Sequence, residues 1–366
     1  MSKHGRVLVA MSGGIDSTVT AMMLHEQGYE VVGITMKTWD YASSGGSSKE
    51  TGCCSLDSIN DAREISVKMG FHHFIVDIRE EFGDYVIDNF VDEYIAGRTP
   101  NPCVLCNTHI KWSALLKRAD AMDCEFIATG HYATIAQEND RYFIQKARDE
   151  RKDQSYVLWG LSQECMERSK FPLGPYVKDE VRQMAYDWGY EELSKKAESY
   201  EICFVPDNDY RGFLKRRVPE LQAQVAGGTF VNTKGENIGS HEGYPFYTIG
   251  QRKGLGKAFG KPMYVTDIQA DSNTVVLGDV EDLMRNGMMV GKLNLQKYEA
   301  LDGKKEFVSQ VRYNDKGVLS TVEQIGNNME VVFHANVRGV APGQSAVFYE
   351  GDDIVGGGII LSSLKQ

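Results

Sequence analysis

The sequence predicts an α/β fold: an N-terminal doubly wound parallel sheet, then a small central domain and a C-terminal antiparallel β-barrel. Three observations predict it. Strand-like and helix-like runs alternate through the first half of the chain. A glycine loop separates the first strand from the first helix. After about Phe204, glycine becomes frequent and short alternating strands take over.

The elements read in order. Arg6–Ala10 is a β-rich run, followed by a glycine loop and an apolar-periodic helix over Val19–Gln27 that Gly28 stops. Val31–Met36 reads as a strand and Lys37–Cys54, rich in Ser and Gly, as a loop. Asp57–Met69 reads as a helix, Phe74–Asp77 as a strand, Glu80–Tyr94 as a long amphipathic helix, Lys111–Met122 as a helix and Phe126–Thr129 as a strand. Ligands of such a sheet belong at the carboxyl ends of its strands. The glycine loop, residues 37–54 and Gly130-His131 all follow strands there. Further on, Gly228–Val231, Tyr264–Gln269, Thr274–Leu277, Phe307–Val311, Val318–Ile325, Met329–Phe333, Ala346–Tyr349 and Ile354–Ile360 read as antiparallel strands. Turns such as Asp271-Ser272-Asn273 divide them. The expected boundaries are 1–205, 206–285 and 286–366.

The 366 residues are long enough for two or three domains of roughly 100–200 residues each. No apolar run approaches the roughly 18 residues of a membrane span, and no secretory h-region is visible, so a cytoplasmic protein with no membrane partner is expected. The net charge of −11 argues at first against nucleic acid. Its distribution reverses that inference, because residues 211–261 carry 9 basic against 3 acidic side chains. Arg211, Lys215, Arg216 and Arg217 are expected on one helix face, joined by Arg252, Lys253, Lys257 and Lys261.

Ser12-Gly13-Gly14-Ile15-Asp16-Ser17 lies on the first strand-to-helix turn. Two glycines admit close backbone approach to a phosphate, and the helix N-terminus adds N–H groups and a positive dipole end. Ser12 and Ser17 offer hydroxyls, and Asp16 offers a carboxylate for a magnesium ion or water. Neither GxxxxGK[ST] nor GxGxxG occurs at this turn. The bland alternative is a Gly-Ser turn capping a helix. The loop resembles the SGG[IV]DS signature of the PP-loop ATP pyrophosphatases, which adenylate an oxygen and release pyrophosphate.

Seven cysteines, an odd number, argue against a secreted disulfide scaffold. Cys103 and Cys106 alone have chelate spacing, in Asn101-Pro102-Cys103-Val104-Leu105-Cys106. The prolines predict a stiff non-helical loop, with Cys106 near the start of the Lys111 helix, where the dipole lowers a thiol pKa. Cys124 and Cys165 read as small buried hydrophobes, Cys53-Cys54 as structural or incidental, and His72-His73 as a solvated turn. Structural zinc lacks a second pair of thiols. Cys103, Cys106 and Cys203 together could hold an iron–sulfur cluster with one open iron.

Taken together, Met11–Ser17, Gly33–Trp39, Gly97–Lys111, Ala128–Tyr132, Lys152–Tyr156, Glu201–Phe204, Thr248–Gly256 and Arg338–Ser345 resemble the bacterial tRNA-specific 2-thiouridylases nearly end to end. The resemblance implies ATP-dependent thiolation of the wobble uridine of tRNA. It implies that Ala10, Met11, Ser12, Gly13, Gly14, Ile15, Asp16, Ser17, Met36 and Gly130 hold ATP, with Mg2+. Cys106 then matches the nucleophile and Cys203 the persulfide carrier, with a Cys106–Cys203 disulfide left after turnover. Asn101, Pro102 and Cys103 match the loop that receives the target base. His131, Lys152, Asp153, Gln154, Arg312, Tyr313 and Gln344 match tRNA contacts. A cysteine desulfurase or a sulfur-relay protein is the implied donor. Some members of that family carry Asp where this chain has Cys103, which leaves proton transfer and a cluster-dependent route open. The competing functions are a PP-loop ligase or amidotransferase with an amine nucleophile, and a non-catalytic RNA-binding protein.

Overall fold

The computed structural model describes residues 3–39, 56–196, 202–205 and 207–365. The expected loop over residues 40–54, Cys53, Cys54 and Glu201 lie outside the described residues. The chain forms two compact units, the first comprising residues 1–86, 103–209 and 352–354, the second residues 87–102, 210–351 and 355–366.

The first unit holds a five-stranded sheet. Its strands come from β1 (Arg6–Ala10), β2 (Glu30–Lys37), β3 (His72–Asp77), β4 (Phe126–Ala128) and, after the hairpin β5 (Thr134–Glu138) and β6 (Arg141–Gln145), β7 (Ser169–Lys170). The order is β3-β2-β1-β4-β7, and every neighbour pair is parallel. Val7, Leu8 and Val9 of the central β1 have no solvent exposure, as expected of a strand covered on both faces. The helix Ile15–Glu26 is buried from Val19 to Leu24. The order reverses at β1, so the crevice at the carboxyl ends of β1 and β4 is the topological switch point.

Several elements differ from expectation. The long helix after β3 is split into Arg79–Phe82, a wider π-type turn at Gly83–Ile87, and Asp88–Ile95. His73 belongs to β3 rather than to a turn, and its Nε2 lies 2.8 Å from Thr35 Oγ1. Burial lowers its pKa, with the Arg63 charge adding to the effect. The hairpin β5–β6 and the helix Lys178–Asp187 are additional to the expected elements.

The second unit contains β8 (Gly228–Asn232), β9 (Asn237–His241), β10 (Tyr264–Gln269) and β11 (Thr274–Gly278), in the order β10-β11-β8-β9. This sheet is mixed, because β11 and β8 run parallel where antiparallel pairing was expected. Residues 87–102 belong to this unit. Phe90 meets Phe213 at 5.9 Å, Tyr94 stacks on Tyr210 at 4.8 Å, and Tyr244 donates to the Ile95 carbonyl.

The C-terminal strands are β12 (Met284–Leu295), β13 (Lys304–Gln310), β14 (Val318–Ile325), β15 (Asn328–Arg338), β16 (Ser345–Glu350) and β17 (Asp353–Leu364). They follow the order β12-β15-β14-β13-β16-β17, and β12 pairs with β17 to close an antiparallel six-stranded barrel. Closure removes the exposed edges that short strands would otherwise present. Met288, Val290, Val311, Val322, Met329, Val331 and Phe348 fill the interior without exposure.

Candidate functional site

The glycine loop sits at the switch point as a shaped cradle. Gly13 has φ +68°, and a Cβ there would lie 2.0 Å from the Ser58 carbonyl oxygen, so the position requires glycine. Gly14 caps the following helix in extended conformation. Ser12 N–H donates to Ser17 Oγ (3.1 Å), Ser17 Oγ donates to the Gly14 carbonyl (3.1 Å), and the two hydroxyls lie 3.3 Å apart. Thr35 of β2 donates to the Met11 carbonyl (2.7 Å). Ala10 ends β1 beside Ile34, which places Met36 further along the carboxyl end of β2. Gly130 closes the opposite wall, where a Cβ would come within 2.7 Å of Ser17 N. The structure therefore gathers Ala10–Ser17, Met36 and Gly130 at one end of the sheet. The cradle lined by glycines fits a phosphate chain, and Asp16 is its acidic side chain.

Residues without a motif complete the cradle. Lys178 Nζ lies 2.7 and 2.8 Å from the two Asp16 carboxylate oxygens, and Tyr132 donates its hydroxyl proton to Asp16 Oδ1 (2.8 Å). The Lys178 backbone N–H donates to Asp149 Oδ2 (3.0 Å). Lys196 Nζ reaches the Gly13 carbonyl (2.9 Å) and Asp61 (2.5 Å). Sequence reasoning missed all of these, since a lysine at a helix start carries no signal until packing aims it.

The cysteine segment corrects one expectation. Residues 102–121 are helical rather than a loop: Pro102–Leu105 starts the helix, Cys106–Lys111 is π-type, and Trp112–Ala121 continues as α-helix. Proline suits the first turn, where no N–H partner is needed. Cys106 is therefore in the second turn and buried at 7% exposure, while Cys103 faces solvent. π-Type turns recur at functional sites. The Asn107 Oδ1 and Thr108 Oγ1 beside Cys106 are buried with no hydrogen-bond partner among the described residues.

Cys203 is half-buried in a turn in which Val205 N–H donates to the Ile202 carbonyl (2.9 Å). The neighbouring Phe204 is buried and meets Phe82 edge-on at 5.9 Å. The short helix carrying Phe82 packs against the Cys106–Lys111 turn. Among the described residues Cys103, Cys106, Cys124, Cys165 and Cys203 form no disulfide. Cys124 is buried as expected, while Cys165 is only half-buried. Among the described residues no three His, Cys, Asp or Glu side chains converge on a metal position. Cys103 is exposed, Cys203 half-buried and Cys106 buried.

The candidate tRNA contacts fall in both units. In the first unit, His131 Nδ1 lies 2.7 Å from Thr129 Oγ1, with its ring beside Trp112 (5.5 Å) and Phe171 (6.0 Å). Burial, then the Lys111 charge, pushes its pKa down to about 3, so the imidazole is neutral. Asp153 accepts from Ala147 N–H and from the Ser155 N–H and hydroxyl. Gln154 Oε1 accepts from Tyr132 N–H (2.9 Å). The carboxylate and this amide oxygen therefore shape the loop, while Lys152 joins it by a backbone bond to Asp149. In the second unit, Gln344 Nε2 donates to the Thr99 and Pro100 carbonyls (3.1 and 2.9 Å), fixing the approach to Asn101 and Pro102. Arg312 and Tyr313 are exposed on the barrel.

The basic helix Tyr210–Arg217 forms, but acids offset it. Lys215 pairs with Glu242 and Arg217 with Asp88, both at 2.9 Å. An open cavity of about 370 Å³ lies in the same unit, lined by Arg252, Leu255, Lys257, Phe259, Lys261 and Met263 among others. The side chains of Arg252 and Lys253 have no acidic partner among the described residues.

No described helix is long and apolar enough to cross a membrane. A parallel α/β unit with a glycine cradle, followed by a mixed sheet and a closed barrel, defines the class. Family models match in the same order: the tRNA methyl transferase HUP domain over residues 5–207, the tRNA methyl transferase PRC-barrel domain over 211–279 and the aminomethyltransferase beta-barrel domain over 285–360. The tRNA-specific 2-thiouridylase MnmA of Cytophaga hutchinsonii is 66% identical, with both chains covered completely. That of Amoebophilus asiaticus is 64% identical over 100% of this chain and 97% of its own. That of Salinibacter ruber is 56% identical over 98% and 95%. The chain belongs to the tRNA-specific 2-thiouridylase MnmA family.

Proposed function

We propose that this chain uses ATP to convert the wobble uridine of tRNA to 2-thiouridine. The observation that carries the reading is the glycine cradle in one folded unit with Cys106 and Cys203, in a chain 66% identical end to end to a protein named tRNA-specific 2-thiouridylase.

The chemistry has a physical logic. The C2 oxygen of uridine is a poor leaving group. Its attack on the α-phosphate of ATP forms an O–P bond and releases pyrophosphate, so that AMP becomes the leaving group. The loop N–H groups and helix dipole would stabilise the developing charge. Mg2+ would enter with the phosphates and add charge neutralisation. Cys203 then carries a persulfide. The Cys106 thiolate attacks Cys203 Sγ, a Cys106–Cys203 disulfide forms, and the terminal sulfur leaves as hydrosulfide. That sulfur attacks C2, AMP departs, and an external dithiol reduces the disulfide by two electrons. The base must leave its stack to reach this chemistry. Asn101, Pro102 and Cys103 receive it, and His131, Lys152, Asp153, Gln154, Arg312, Tyr313 and Gln344 hold the RNA. A cysteine desulfurase or relay protein supplies the sulfur, in the cytoplasm.

The test is thiolation of bulk tRNA with ATP, Mg2+ and a persulfide donor. Wild type should form 2-thiouridine and release pyrophosphate. Cys203→Ser should abolish thiouridine formation while ATP and tRNA binding persist. Full activity of that variant would overturn the persulfide role, and an amine-dependent product would favour the ligase reading.

A further inference from the structure

An anion cradle that contains a carboxylate has an internal conflict. Asp16 lies in the first turn of the helix that points at the phosphate position, so its charge repels the ligand that the loop N–H groups attract. The described structure resolves the conflict within the protein. Lys178 Nζ is bonded to both Asp16 oxygens, at 2.7 and 2.8 Å. The lysine side chain is 5% exposed and the aspartate 30% exposed, so the ammonium lies behind the carboxylate. A buried ammonium needs a charged partner, and a buried pair is costly to break on one side only. The Lys178 position is also fixed: its backbone N–H is held by Asp149, itself 3% exposed, and its helix packs on the helix that carries Asp16.

We propose that Lys178 is the positioning residue of the nucleotide cradle: by pairing with Asp16 it cancels the carboxylate charge and lets the cradle accept a polyphosphate. This rests on the ATP reading above. It assigns Lys178 no contact with the reacting atoms, and acts through Asp16 alone.

The idea makes the consequence of losing the lysine depend on the aspartate. Equilibrium dialysis of ATP, with Mg2+ and without tRNA, reads it directly. Lys178→Met should weaken ATP binding at least tenfold. The double variant Lys178→Met with Asp16→Asn should recover most of the affinity that Lys178→Met loses, since no uncompensated charge remains. Thermal unfolding of every variant shows that the first unit is folded. A lysine needed only for packing would weaken the double variant as much as the single one, and that result overturns the proposal. Unchanged ATP affinity in a folded Lys178→Met protein overturns it as well. Failure of the wild type to bind ATP overturns the ATP reading together with it, which separates the two outcomes.

Discussion

Tyr132 and Gln154 exchange two hydrogen bonds: Gln154 N–H donates to the Tyr132 carbonyl (2.8 Å), and Tyr132 N–H donates to Gln154 Oε1 (2.9 Å). The same tyrosine carries its hydroxyl to Asp16. A residue whose motif suggests RNA contact therefore also buttresses the nucleotide loop.

Gln154→Ala should remove the Oε1 acceptor of the buried Tyr132 N–H, at a cost of about 1–3 kcal/mol. Gln154→Glu keeps the acceptor oxygen and should lose less. Urea unfolding of the two variants checks the order. Equal stability of Gln154→Ala and wild type would remove the buttress.

Phe204 anchors the Cys203 turn against Phe82. Phe204→Leu should cost less than about 1.5 kcal/mol, as a small change of shape, yet loosen the turn. Alkylation of Cys203 should become several-fold faster, with Cys106 unchanged. Mass spectrometry of both thiols after timed iodoacetamide treatment reads this. An unchanged Cys203 rate would show that Phe204 does not restrain it.

The Asp153 carboxyl is pushed up from its ordinary 3.8 by burial, which outweighs its hydrogen bonds to Ser155 and Ala147. The folded state therefore holds this proton more tightly than the unfolded chain does. Its contribution to stability is full below the unfolded pKa and lost as pH rises through the folded one. Asp153→Asn should gain stability relative to wild type at pH 8 compared with pH 4. Urea unfolding at the two values measures the difference, and a constant difference would refute the assignment.

His131 has the opposite sign. Its pKa falls from 6.5 to about 3, through burial first and Lys111 second. Its contribution is present above the unfolded value and lost as pH falls from about 6.5 towards about 3. His131→Gln should flatten the acid limb of the stability profile in that window. An unchanged limb would show that His131 is not its source.

RNA binding through the second unit should weaken as salt rises, because phosphate contacts release counterions. Arg217 is already paired with Asp88, whereas Arg252 and Lys253 have no acidic partner among the described residues. Reversing Arg252 and Lys253 to Glu should weaken tRNA binding more than reversing Arg63 and Lys68, and should lower the salt slope. Filter binding across salt concentrations decides it. Equal effects from the two pairs would move the interface elsewhere.

Much was legible in the residues. The hydrophobic run at Arg6–Ala10, the glycines at 13 and 14 and the charge of residues 211–261 each act locally, and local order along the chain determines them. A glycine loop after a buried strand already implies an anion cradle at a sheet's carboxyl edge. The alternating strands from residue 304 onward already imply a β domain, since period-2 burial is a property of consecutive residues.

Tertiary structure decided what depends on residues far apart in sequence. The pairing of Lys178 with Asp16, 162 residues away, exists only because two helices pack. Gln344 reaches Thr99 across 245 residues because the barrel and residues 87–102 share one folded unit. The Cys103 segment read as a loop because two prolines outweigh local helix propensity, yet Pro102 occupies a first turn where its missing N–H costs nothing. The physical reason is common to the two pairings. Local patterns state what a segment prefers, while the partner of a buried charge, amide or thiol is set by packing that no local pattern encodes.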